Sequence, residues 1–135
     1  MAAMAFAALP ALAGSAEVTQ AWMREPPPGA SVAALYMQVH NSGGAALHLT
    51  GVRVAGADSA SIHESVERDG MMSMHEVPDL VVAPGATVSL APGGYHVMVF
   101  GLGVAPRAGD QLAFCLLTSN AGELCTRAMV KRSGD

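Results

Sequence analysis

The chain has 135 residues, a formal charge of −4 and only 13% charged residues. That length suits one domain and leaves little room for two. An apolar share of 51% can fill a core and argues against disorder, and the lack of any Lys/Arg patch argues against nucleic acid as a partner.

Residues 1–13 are an apolar run of small side chains ending in Ala11-Leu12-Ala13. This is the apolar segment and small-residue cleavage pattern of a secretory signal peptide, too short to span a bilayer. The basic start of such a peptide is missing, because the first basic residue is Arg24. The run is therefore read as the remnant of a leader whose start lies upstream or is mis-set. Residues 1–16 are expected to be leader and 17–135 the mature domain. No later segment looks able to cross a membrane, so the mature protein is expected to be soluble, exported and monomeric.

Strands are expected at Val18–Trp22, Ser31–His40, Leu47–Val54, Ala60–Val66, Met71–Val77, around Tyr95–Val99, and at Gln111–Leu117 and Leu124–Val130, with Val97, Val99 and the apolar run Phe100–Val104 continuing the core. The breaks between them are rich in turn formers: Pro26-Pro27-Pro28-Gly29, Asn41-Ser42-Gly43-Gly44, Pro84-Gly85 and Pro92-Gly93-Gly94. Asp69-Gly70 is a hairpin signal, and Ser119-Asn120-Ala121-Gly122 marks a terminal hairpin. Turns every 8 to 12 residues or so, without a long helical period, predict an all-β sandwich or barrel.

Nine Met and five His stand out against so few aromatics. His96 and Met98 are two apart on a predicted strand, so an imidazole and a thioether project from the same face. His63 and Met74 lie on the two arms of the Asp69-Gly70 hairpin, and folding there brings both side chains toward one face. Thioethers are neutral and soft. They favour Cu(I) over hard ions, and imidazole binds copper in either oxidation state. Such a set needs no thiolate, which an oxidising compartment would turn into a disulfide.

The spacing is specific: His63, ten residues, Met74, twenty-one residues, then His96-Val97-Met98. It resembles the PCuAC family of periplasmic copper chaperones, whose pattern is H-(M)-x10-M-x21-H-x-M. The resemblance extends through Ala21-Trp22-Met23-Arg24, Pro27-Pro28-Gly29, Ala34-Leu35-Tyr36-Met37 with Asn41, and Gly93-Gly94-Tyr95-His96 to Gly101-Leu102. Glu64 departs from it, standing where the optional Met can follow the first His. The resemblance implies a cupredoxin-like Greek-key β-sandwich. It implies one Cu(I) per chain held by His63, Met74, His96 and Met98. It further implies a periplasmic location and transfer of copper to an accepting protein, such as an oxidase subunit or assembly factor, in building cytochrome c oxidase copper centres.

Storage or detoxification of copper, and a metal-free interaction module, are the alternatives. A blue-copper electron carrier is disfavoured because no His follows either cysteine, and an enzyme because a closed set of four ligands leaves no open position. Cys115 and Cys125 fall nearly opposite one another across the last hairpin and are expected to form a disulfide. Met71 and Met72 are expected to face solvent or pack over the loop, with spare thioethers as the other reading. His75 should point away from Met74. His40 and His48 are read as structural or exposed. The acidic residues Glu64, Glu67, Asp69, Glu76 and Asp79 surround the hairpin, where they could attract a cation or only be solvated.

Overall fold

The computed structural model describes residues 16–132, and among these it is all-β. The expected leader, apart from Ala16, lies outside the described residues. Ten strands run in chain order: β1 Ala16–Arg24, β2 Val32–Asn41, β3 Leu47–Val54, β4 Ser59–Arg68, β5 Met71–Glu76, β6 Leu80–Val82, β7 Thr87–Leu90, β8 Tyr95–Phe100, β9 Gln111–Thr118 and β10 Glu123–Lys131. They pair in the order β5-β4-β8-β7-β2-β1-β10-β9-β3-β6, with β2 also pairing directly with β8. The order folds over on itself so that β3 faces β4, which gives the cupredoxin-like β-sandwich.

Strand alternation builds the core between the two layers. On β2, Ala33, Leu35, Met37 and Val39 point inward; Val97 and Val99 do so on β8, and Ile62 on β4. Leu49, Val52, Leu116, Ala128 and Val130 close the layer opposite. Every second residue of β4 and β8 is thereby left on the outer face, and this places the candidate site. The outer-facing residues are Ser61, His63 and Ser65 on β4, and His96, Met98 and Phe100 on β8.

Two short strands, β6 and β7, were not expected, because three- and four-residue strands between Pro-Gly turns carry too little alternation to read. The apolar run Phe100–Val104 continues the core only in part. Pairing ends at Phe100, Leu102 is buried in a loop, and Val104 is 85% exposed. Gly101 explains the break. Its φ of +73° is a left-handed conformation, and the side chain of Asp58 occupies the space a Cβ would need.

The β4–β5 hairpin turns through Asp69 and Gly70 with φ of 55° and 79°. Both central residues are left-handed, as a two-residue type I′ turn requires, and Asp-Gly is a sequence that tolerates it. Cys115 and Cys125 are direct partners on β9 and β10 and form the expected disulfide. Glu25 ties the end of β1 to two other segments. Its carboxylate accepts from the Ala108 amide at 3.0 Å and lies 3.4 Å from both Arg107 and Arg132.

Candidate metal centre

His63 and His96 are direct Cα partners on the antiparallel β4–β8 ladder. Their rings are nearly parallel, with an interplanar angle of 22° and centroids 6.1 Å apart. His96 is buried at 4% exposure and His63 is half-buried, flanked edge-on by Phe100 at 6.4 Å. Their placement follows from parity: Ile62 and Val97, the paired neighbours that point the other way, are core residues.

Each ring has one nitrogen satisfied and one orphaned. His96 Nδ1 lies 3.0 Å from the Gly94 carbonyl. A carbonyl can only accept, so Nδ1 carries the proton and Nε2 is left with the lone pair. His63 Nε2 lies 2.8 Å from the Ser61 hydroxyl, which can take its proton as acceptor and leave the lone pair on Nδ1. The two remaining atoms, His96 Nε2 and His63 Nδ1, are buried and have no hydrogen-bond partner. An unsatisfied buried polar atom costs about 1–3 kcal/mol. Two on facing side chains fit nitrogen donors awaiting a cation, and the chemistry of the set suits a soft one.

Met98 is the diagonal neighbour of His63, paired with Ser61 on the same face and half-buried. Met74 also shares this face, on the far side of His63. The hairpin register pairs His63 with Glu76 and Ser65 with Met74, so Met74 is diagonal to His63 as well. It sits on the sheet's edge strand and is 59% exposed. The fold thus brings His63, His96 and Met98 together on one packed face and sets Met74 at its open margin.

The other histidines are placed elsewhere. His75 pairs with Glu64 on the opposite hairpin face, as expected from alternation. His40 bonds Thr87 at 2.8 Å, and His48 bonds Asp79 at 3.0 Å. That contact removes Asp79 from the acidic group near the site. Glu76, directly opposite His63, and Glu67, opposite Met72, face the same side as the site. Sequence reading missed the roles of Ser61 and of the Gly94 carbonyl. Ser61 lies two residues before His63, a same-face spacing that could have drawn attention to it. Beyond His96, Trp22 and Tyr36 pair across β1 and β2 with ring centroids 4.8 Å apart, and the Arg24 guanidinium lies over both. The disulfide sulfurs and Glu123 also lie close together, but the thiols are consumed and Glu123 is held by Arg53 at 2.6 Å.

Comparison with known proteins bears on the family and the fold. The chain is 31% identical over 109 residues to the “Putative lipoprotein Lxx21020” of Leifsonia xyli subsp. xyli (strain CTCB07), covering 80% of this chain and 64% of that protein's length. It therefore spans less than two thirds of that relative. Among solved structures, the copper-bound PCuAC domain from PmoF2 superposes with a TM-score of 0.75 at 28% identity, covering 89% of this chain and 95% of the other. The apo PCuAC domain from PmoF1 gives 0.74 at 27% identity, covering 89% and 96%. The Cu(I) form of DR1885 from Deinococcus radiodurans gives 0.67 at 28% identity, covering 84% and 76%. The resemblance to PCuAC domains thus holds in sequence and in fold. Residues 16–130 match the family described as “Putative lipoprotein LpqE-like”, and the chain belongs to that LpqE-like family.

Proposed function

We propose that this protein is an exported copper carrier that holds one Cu(I) through His63, Met74, His96 and Met98 and yields it to an accepting protein. The observation that carries the reading is the pair of buried, unpartnered imidazole nitrogens on adjacent strands with Met98 beside them. The solved relatives include one described as copper-bound and one as a Cu(I) form, which supports the choice of metal. Lipoprotein relatives and the disulfide both suit a location outside the cytoplasm, the periplasm or an equivalent envelope space.

Each residue has a distinct task in this account. Gly94 holds His96 in the tautomer that offers Nε2, and Ser61 does the same for Nδ1 of His63. Met98 supplies a thioether from the packed sheet. Met74 supplies one from the edge strand, where it can move toward His63 or be displaced by an acceptor's ligand. Neutral donors leave the ion's single charge uncompensated, so they hold it less tightly than thiolates would and permit release. We read the protein as a carrier and not an enzyme. The family pattern points to assembly of cytochrome c oxidase copper centres as the destination.

X-ray absorption of the Cu(I)-loaded protein tests the donor set. Two nitrogen and two sulfur scatterers are expected around one copper. A shell of nitrogen and oxygen alone would refute the thioether assignment.

A further inference from the structure

The hairpin end carries three exposed methionines: Met71 at 73%, Met72 at 59% and Met74 at 59%. Apolar side chains clustered on an otherwise polar edge strand gain nothing from burial there, so their sulfur chemistry is the property that distinguishes them. Register separates the three. Met72 pairs with Glu67 and Met74 with Ser65, so both lie on the face that carries His63 and His96. Met71 pairs with Arg68 and, like Ser73 and His75, belongs to the opposite face. Strand geometry puts Met72 and Met74 roughly 7 Å apart along β5, near enough for two flexible thioethers to grip one ion. Along this face, Met72, Met74 and the Glu76–His63 row form successive steps from the solvent-exposed tip to the buried nitrogens.

We propose that Met72 and Met74 form a two-thioether capture site for Cu(I) at the rim, sharing Met74 with the four-residue site and feeding it. This rests on the reading of His63, His96, Met74 and Met98 as the copper site. In the handover, copper keeps its bond to Met74. The bond to the Met72 sulfur breaks as a bond to His63 Nδ1 forms. The ion stays Cu(I), and no proton moves when the Ser61 hydroxyl accepts the proton of His63 Nε2, the tautomer that leaves a lone pair on Nδ1. Delivery to an acceptor runs the same exchange in reverse, with Met72 the last sulfur on the outward path. Met71, still more exposed but on the other face, takes no part and is the internal control.

The test compares wild type with Met72→Leu and Met71→Leu, which keep volume and remove one sulfur each. Transfer of Cu(I) from a chromophoric chelator is followed by stopped flow, and equilibrium affinity is measured against the same chelator. Met72→Leu is expected to slow transfer by at least about fivefold while Met71→Leu stays within about twofold of wild type. Equilibrium affinity should change far less than in Met74→Leu. In a parallel measurement on protein labelled at the methionine methyls, substoichiometric Ag(I), a soft and redox-inert probe, should shift Met72 and Met74 but not Met71. Wild-type transfer rates in Met72→Leu, or equal slowing by Met71→Leu, would overturn the proposal while leaving the four-residue site intact. Failure of wild type to retain any Cu(I) would overturn both.

Discussion

His63 and His96 are cross-strand partners whose buried, unpartnered nitrogens lie on one face of the β4–β8 ladder, each set by a hydrogen bond to the opposite ring nitrogen. Ordinary packing would satisfy these atoms or leave them in water. The arrangement instead keeps both nitrogens dry and engages the opposite nitrogen of each ring with a local partner, a hydroxyl or a carbonyl two residues away on the same strand or its lead-in.

Ser61→Ala removes the acceptor that orients His63 without touching a proposed ligand. Losing such a supporting contact typically costs 10- to 100-fold in metal affinity, so a loss of about tenfold for Cu(I) is expected. Competition titration checks it. Thermal stability should hardly move, because Ser61 is on the outer face. An unchanged affinity would show that the Ser61 contact does not prepare the ring.

Met74→Leu and Met98→Leu should each weaken Cu(I) more than Cu(II), since thioethers prefer the softer ion. The two differ in setting. Met98 is held in the sheet, whereas Met74 is 59% exposed at its edge. Met98→Leu should therefore leave Cu(I) with a poorer site at every stage, and Met74→Leu should also speed its loss to a competitor. Equal weakening of both oxidation states would count against thioether ligation.

The Cys115–Cys125 bridge spans a ten-residue separation on β9 and β10, which pair with neither β4 nor β8. A double Cys→Ala variant should lose on the order of 2–3 kcal/mol of stability in denaturant unfolding. Its Cu(I) affinity should match wild type. A large loss of affinity would mean that the β9–β10 bridge is coupled to the His63–His96 pair.

Glu25 sets a pH dependence of stability. The Ala108 amide first, and then the charges of Arg132 and Arg107, hold its carboxyl below the ordinary value of 4.5. A carboxylate whose pKa is lower in the folded state adds stability above its unfolded pKa, and that contribution is lost as pH falls through the folded value. Glu25→Gln should accordingly lower the melting temperature at pH 7. The gap to wild type should close on acidification through the carboxylate range. A gap that stays constant with pH would place the effect in packing and not in charge.

Much of this was legible in the sequence because strand parity is a rigid rule. His96-Val97-Met98 on a strand forces the imidazole and thioether to one face whatever the fold around them, and Asp69-Gly70 fixes the hairpin that carries Met74. Cys115 and Cys125 could be paired by counting back from the last turn. Other features depended on distant backbone. Gly101 ends β8 because the side chain of Asp58, forty-three positions earlier in the chain, fills its missing Cβ space. His48 is tied to Asp79 through the β3–β6 end of the sandwich, which no local pattern discloses. The Gly94 carbonyl is a backbone atom, so its role in fixing His96 has no side-chain signature at all.

The most direct test of the central claim is an anaerobic Cu(I) titration of the described domain against a chromophoric chelator, with the four single variants His63→Ala, Met74→Leu, His96→Ala and Met98→Leu beside wild type. One equivalent should be retained by wild type, and each variant should surrender it at a lower chelator concentration. A wild-type protein that retains no copper, or variants that all retain it as wild type does, would contradict the assignment.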